Sequence, residues 1–298
     1  MRVLCLGEAL VDLVCEQPVA SLAEAPAFVP HFGGATANVA VAAAAAGADV
    51  ALAGGVGDDA WGGWLVAKLA AAGVDLSWFV QVPEATTPVA FVSTDAAGEP
   101  SYQLYAEGLA ATLNAVADQL PTAVEACDGI FFSTNTLAGE TERELTMAAR
   151  ARALELGRPV CFDPNLRLHR WPTAAAGAAA ANACVEGALL VRANRVEAEL
   201  MTGERDPERA ANAILKGGAR MALVTLGAGG ALLRGAVSAD VDAAPANVVS
   251  TVGAGDALMG FVLGRLVTSG FYPPAVAASL PEAMVEAARA TERWGATA

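Results

Sequence analysis

The chain has 298 residues, of which 55% are hydrophobic, with a mean hydropathy of +0.44, a formal charge of −14 and a pI near 4.5. That length supports one large α/β domain, or a main domain with a small appendage, and it buries a sizeable core without disulfides or metal. The acidity excludes a general nucleic-acid binder, which needs a basic face to release counterions, and the apolar excess is largely alanine, in runs such as residues 39–47 that are too short to cross a bilayer.

The opening residues, MRVLCLGEAL, carry one arginine and then an apolar run. Glu8 and Asp12 interrupt that run and no small-residue cleavage pattern follows, so a strand at residues 3–6 is predicted rather than a signal peptide. Residues 11–32 have no clear period. Further strands are expected at residues 50–53, 129–132, 159–162, 188–191, 221–225 and 231–234, where apolar residues are consecutive rather than alternating, as in strands covered on both faces. Between strands, Trp61, Trp64, Leu65, Lys68 and Leu69 have helical spacing, as do Leu145, Ala148, Ala149, Arg152 and Leu156. Residues 87–105 alternate instead, with a turn at residues 95–98, the pattern of an antiparallel hairpin. The expected fold is therefore α/β, a doubly wound, mostly parallel sheet with helices on both faces, plus a small inserted β lid. Residues 1–11, 33–86 and 106–298 form the body in this reading, and residues 12–32 and 87–105 form the lid. The five cysteines are an odd number with no Cys-x-x-Cys, which fits buried free thiols in a reducing cytoplasm.

In an open α/β sheet, ligands gather outside the carboxyl ends of the strands, so glycines and polar residues just after strands are the first site candidates. Gly253, Ala254, Gly255 and Asp256 precede a helical run at residues 257–267. Two glycines let successive N–H groups point at one spot, and the helix N-terminus adds positive partial charge, which makes an anion hole. Asp256 there is either a base facing a nucleophile or an ordinary helix-starting carboxylate. Gly33 and Gly34 open an Ala-rich helix containing Asn38, and Asp12 follows the first strand. Asp163, Asn165 and Arg167 lie together at a strand end. Asn194 and Glu197 sit at a helix start, where a capping Asn and a first-turn Glu need no function. Thr225, Gly227 and Gly229 end another strand.

Taken together, these segments resemble the ribokinase-like (PfkB-type) carbohydrate kinases, and among them the fructokinases. The resemblance runs end to end through GEALVDLV, GGATANVAVAAAAAG, GGVGDDAWG, FDPNLRLHRWP, NRVEAELMTG, VTLGAGGALL and TVGAGDA. It implies an ATP-dependent sugar kinase in which Asp256 deprotonates the acceptor hydroxyl, while the turn Gly253–Ala254–Gly255 stabilises the transferring phosphoryl group. By the same resemblance Asp12, Gly33, Gly34 and Asn38 hold the sugar, with Asp163, Asn165 and Arg167 at the floor of the cleft. Asn194 and Glu197 organise hydrated magnesium, and Asn194, Thr225, Gly227 and Gly229 lie on the nucleotide side. Related kinases often pair two lids, which implies a homodimer.

The departures from the family pattern are informative as well. Ser250, Thr251 and Val252 stand where the second family signature usually begins with Asp and two Thr, and the missing carboxylate argues against activation by a monovalent cation. Phe261 occupies a place where the family commonly has Gly, so a neighbour must accommodate it. Tyr105 is followed by Ala106 and Glu107 where many relatives carry an Arg, which favours a neutral sugar, fructose first, over acidic or phosphorylated ones.

Other readings compete. Gly55 to Ala60 nearly fits the dinucleotide fingerprint, but Asp58 and Asp59 would oppose a pyrophosphate. No P-loop and no Gly-x-Ser-x-Gly elbow is present, and His31 and His169 have no ligand pattern for zinc. A nucleoside kinase of this fold would need a stacking surface, for which Phe91, Tyr102 and Tyr105 are candidates. A catalytically silent binder is the reading from a different class.

Overall fold

All seven predicted strands form, because consecutive apolar residues can be covered on both faces only inside a sheet flanked by helices. The computed structural model describes residues 1–96, 98 and 100–296. Its strands are β1 (Arg2–Leu6), β2 (Leu10–Pro18), β3 (Val29–Gly33), β4 (Asp49–Gly57), β5 (Asp75–Val82), β6 (Val89–Thr94) and β7 (Pro100–Tyr105). They continue with β8 (Gly129–Ser133), β9 (Val160–Asp163), β10 (Leu190–Asn194), β11 (Met221–Thr225), β12 (Ala231–Gly235) and β13 (Ala239–Val241). The helices are α1 (Ala35–Ala45), α2 (Ala60–Ala71), α3 (Leu109–Ala115), α4 (Leu120–Ala126) and α5 (Glu140–Glu155), then α6 (Ala174–Asn182), α7 (Arg195–Thr202), α8 (Pro207–Lys216), α9 (Ala254–Thr268) and α10 (Pro274–Thr291).

The main sheet has the order β13-β12-β11-β10-β9-β8-β1-β4-β5. It is parallel from β11 to β5, and β12 alone is reversed, pairing antiparallel with both β11 and β13. Strand β1 shows why both faces need cover: Val3 and Cys5 enter one core cluster, Leu4 and Leu6 the other. All five cysteines are buried and free. The second sheet, β3-β2-β6-β7, is formed by the two segments that broke the strand–helix rhythm. Ala97, inside the predicted 95–98 turn, and Glu99 lie outside the described residues. At the turn, the N–H of Gly98 donates to the carbonyl of Asp95 at 3.1 Å.

Alanine richness has a packing cause. Helices α1 and α9 approach so closely that a Cβ on Gly260 would lie 2.4 Å from the Ala42 Cβ, and one on Gly264 2.6 Å from the Ala46 Cβ. Small residues on both helices thereby bring the N-terminus of α1 beside that of α9. Among the described residues no helix is long and apolar enough to cross a membrane. Phe261 is accommodated by Arg265, whose guanidinium lies 4.9 Å over its ring.

Three sequence expectations shift. The fingerprint-like glycines, Gly55 and Gly57, lie inside β4 rather than after it, packed so closely on neighbouring backbone that a Cβ on Gly55 would meet the Val80 carbonyl at 2.6 Å and one on Gly57 the Ala85 carbonyl at 2.4 Å. Asp59 caps α2, accepting from the Gly62 N–H at 2.8 Å and the Thr87 N–H at 2.9 Å, which fills the place of any pyrophosphate. The strand expected at 188–191 runs instead from Leu190 to Asn194 and carries a charged Arg192 into the centre of the sheet.

Candidate active site

The carboxyl ends of the central strands, the starts of α1 and α9 and one face of the second sheet meet at a cleft of about 630 Å³. Asp12, Gly34, Asn38, Arg167, Gly253 and Asp256 line it. Asp256 lies in the first turn of α9, only 7% exposed, yet it does not cap the helix: Gly253 holds the N-cap position. One Asp256 oxygen accepts from the Asn38 amide at 2.9 Å and the other from the Asn165 amide at 3.2 Å. The amide oxygens of both Asn38 and Asn165 are buried without a hydrogen-bond partner. Buried acceptors without donors are costly; Asn38 lines the cleft, whereas Asn165, like Asp163, reaches Asp256 from outside its lining.

Backbone geometry builds the anion turn. Gly253 is left-handed at φ 78°, and a Cβ there would lie 2.3 Å from the Ala296 Cβ. The N–H groups of Gly255 and Asp256 have no backbone acceptor among the described residues, as expected in a first helical turn. Gly34 is left-handed as well, and its Cβ would meet the Glu8 carbonyl at 2.7 Å. Gly33 does not line the cleft; a Cβ there would fall 2.3 Å from an Asp12 oxygen, so its lack of a side chain makes room for that carboxylate.

Asp163 is behind the cleft rather than in it. One oxygen accepts from the Asn165 N–H at 3.0 Å, fixing the left-handed Asn165 (φ 43°) that reaches Asp256. Its other oxygen pairs with Arg192 at 2.9 Å, and Arg192 donates onward to the Thr225 hydroxyl at 2.8 Å. Arg167 faces the cleft with its guanidinium 4.9 Å over the Tyr102 ring. Asn194 and Glu197 form the reciprocal capping box of α7. The other Glu197 oxygen accepts from the Leu166 N–H at 2.8 Å, so this buried carboxylate is committed to backbone. Asn194 and Thr225 are paired across β10 and β11, and Gly227 and Gly229 form the exposed turn that follows.

Burial dominates the electrostatics. It pushes the Asp256 carboxyl up to about 6, against the Asn38 hydrogen bond and the charge of Arg167. Asp12 is pushed up to about 7 by burial, with Arg167 pulling it back. Glu197 is raised by burial and then by Asp163, with Arg192 opposing. Among the described residues no group hydrogen-bonds or ion-pairs the Asp12 carboxylate, although it is only 5% exposed. Two raised carboxyls, Asp12 and Asp256, therefore line one cleft.

Sequence reasoning missed Glu8, Asn135 and Arg170. Glu8 accepts from the Asn135 amide at 2.9 Å and the Thr36 hydroxyl at 3.2 Å, and Arg170 donates to the Asn135 carbonyl at 2.5 Å. Glu8 and Asn135 follow β1 and β8, so the strand-end rule applied uniformly would have found both. Of the three aromatics considered for stacking, only Tyr102 lines the cleft; Phe91 packs edge-on to Phe28 and Tyr105 on the opposite face of the second sheet. Period-two alternation along β6 and β7 separates them. His31 is bound to Glu16 at 2.8 Å, as a structural histidine. Among the described residues no group of three or more His, Cys, Asp or Glu is placed to hold a metal directly.

A mostly parallel sheet with an anion turn, a buried carboxylate beside it and a second sheet over the cleft defines a ribokinase-like phosphotransferase. The model for the pfkB family carbohydrate kinases matches residues 1–290, and the chain belongs to that family. It is 34% identical over 271 residues to fructokinase-1 of Oryza sativa subsp. japonica, covering 89% of this chain and 83% of that protein. Among solved structures, a Vibrio cholerae O395 fructokinase with fructose, ADP and potassium ion bound superposes with a TM-score of 0.82 at 28% identity, covering 99% of this chain and 93% of that one. Aminoimidazole riboside kinase from Salmonella enterica, complexed with its riboside and an ATP analogue, superposes with a TM-score of 0.81 at 25% identity, covering 99% and 95%.

Proposed function

We propose that this sugar kinase phosphorylates a neutral sugar, fructose first, with Asp256 as general base. The observation that carries the reading is the Asp256 carboxylate held by two amides, lining the same cleft as Asp12, whose carboxylate has no hydrogen bond or ion pair among the described residues. Hydroxyls can donate to both of these cleft-lining carboxylates. The lining charges are mixed, Glu8, Asp12 and Asp256 against Arg167 and Arg170, so an anionic substrate gains no net field. A purine would have to displace Arg167 from the only cleft-lining member of the aromatic trio, Tyr102, which disfavours the nucleoside reading.

Asp256, held by Asn165 and ionised above about pH 6, takes the proton of a hydroxyl oriented by Asn38 and Asp12. The free N–H groups of Gly255 and Asp256 then face the oxygen charge that develops on the transferring phosphoryl group. The second sheet serves as a lid that excludes water from this step. Magnesium arriving with ATP neutralises phosphate charge. Asn194 and Glu197 fit such an ion only through water, because their inward oxygens already accept N–H groups. A coupled ADP-release assay with Mg-ATP and a panel of fructose, ribose, ketodeoxygluconate and purine nucleosides tests the reading. Fructose-dependent turnover supports it, and silence across the panel from folded, ATP-binding protein would move the assignment to a silent binder.

Replacing KCl by tetramethylammonium chloride leaves turnover within about twofold, since Ser250 lacks a carboxylate and its hydroxyl accepts from the Val252 N–H at 3.3 Å. The Thr291 carbonyl likewise accepts the N–H groups of Val249 at 2.7 Å and Ser250 at 3.1 Å, rather than facing an ion. A loss above about tenfold without potassium would reverse this assignment. The aromatic outer face formed by Phe28, Phe91 and Tyr105, the last 46% exposed, is proposed as the dimer surface between two lids. Light scattering over a concentration series should give twice the chain mass, and a monomer throughout removes the claim.

A further inference from the structure

The α9 turn that faces the transferring group has a cation beneath it. Arg192 projects from the middle of β10, is 6% exposed, and donates one arm to Asp163 at 2.9 Å and the other to Thr225 at 2.8 Å. A Cβ on Gly255 would lie 2.6 Å from Nη1 and 2.7 Å from Nη2, so the flat guanidinium is pressed against the α carbon of that glycine. Its Nε is buried without a hydrogen-bond partner. A charged residue in a central strand with one donor unpaired is expensive. Structure alone could be served more cheaply by an apolar residue, as elsewhere on this strand, where Val191 and Ala193 are fully buried.

We propose that Arg192 is a positioning residue for phosphoryl transfer, fixing Gly255 and supplying permanent positive charge beneath the turn that receives the phosphoryl group. The assignment rests on the kinase reading above. Three carboxylates, Asp163, Glu197 and Asp256, surround this position, and each feels the Arg192 charge. Phosphoryl transfer adds further negative charge to the same place. Without a fixed cation the potential at the turn would be negative, and a water-poor site magnifies that penalty. A guanidinium suits the task because it never loses its proton, and its planar fork reaches Asp163 and Thr225 while its face lies flat on a glycine. The same contact gives a reason for Gly255 beyond the anion hole: any side chain there would push the guanidinium away.

Steady-state kinetics and melting curves on four proteins separate this role from a structural one. Arg192→Met alone leaves Asp163 buried and unpaired, so it is made together with Asp163→Asn and compared with Asp163→Asn by itself. The double variant should lose about 10²-fold in kcat relative to that reference, with the KM for ATP within about threefold. Arg192→Lys keeps the charge but reaches one partner at a time, and should retain kcat within about tenfold of wild type. A folded double variant with kcat within about threefold of Asp163→Asn overturns the proposal, and so does an Arg192→Lys variant as impaired as the double variant. Wild-type protein measured beside them separates the two levels of the argument: if it shows no sugar-dependent ADP release, the kinase reading fails and takes this assignment with it, whereas normal wild-type turnover with unaffected variants overturns the Arg192 role alone.

Discussion

Asp256→Asn should lower turnover by roughly 10²–10⁴ while leaving the fold intact. The variant amide is nearly isosteric, and the site offers two amide donors, from Asn38 and Asn165, of which an amide oxygen can still take one. What it cannot do is accept the hydroxyl proton. Its thermal stability at neutral pH should be equal to or slightly above that of wild type, because burial has pushed the native carboxyl up to about 6. A carboxyl raised in the folded state favours folding below its ordinary value near 4, and that contribution disappears as pH climbs through about 6. Turnover of the wild type should climb through the same interval as the base ionises. Melting curves and ADP release between pH 5 and 8 check both halves. Turnover of the variant within about threefold of wild type would falsify the base assignment and return Asp256 to a structural role.

The body of the fold was legible because doubly covered strands advertise themselves as apolar runs. Strand β5 was not, since Asp75, Ser77 and Gln81 interrupt an edge that needs cover on fewer sides, and β13 is only three residues long. The end of β10 was misplaced because Arg192 is charged, and only Asp163, on β9, and Thr225, on β11, make that charge tolerable in a sheet centre. Such compensation is tertiary and leaves no local sequence signal. The candidate site was legible where one motif brings its residues together: the glycine turn and Asp256 sit in one heptapeptide. Asp163 was assigned to the cleft floor by proximity to Asn165 and Arg167, yet successive residues leave a strand end in different directions, and it turned inward. Asn194 and Glu197 show the converse, for the plain capping reading of these two residues is what the hydrogen bonds display, and any duty toward magnesium is carried in addition to it.

Asp12→Asn should stabilise the protein and weaken its hold on the sugar at the same time. The wild-type carboxyl lies on β2 opposite His31 and Ala90, 5% exposed and without a hydrogen bond among the described residues. Burial pushes it up to about 7, and the neighbouring carboxylates of Asp256 and Glu8 add to the shift. At pH 8 it must ionise in place, at a cost on the order of 4 kcal/mol relative to the unfolded chain. An amide avoids that cost but leaves an unpaired polar group worth about 1–3 kcal/mol, so a net gain of roughly 1–3 kcal/mol is expected. The advantage should shrink as pH falls from 8 through about 7 toward 4, and vanish below the ordinary aspartate value of 3.8, where the wild-type group is protonated in both states. Binding moves the other way, since a neutral amide accepts a hydroxyl hydrogen bond more weakly than a carboxylate by about 1–2 kcal/mol. The KM for sugar should therefore rise about tenfold or more while the KM for ATP stays put. A variant destabilised at pH 8, or one with unchanged sugar KM, would mean that Asp12 already has a partner in the free protein. The cleft would then not be a set of acceptors waiting for hydroxyls, and the strongest physical reason for a sugar in that place would be gone.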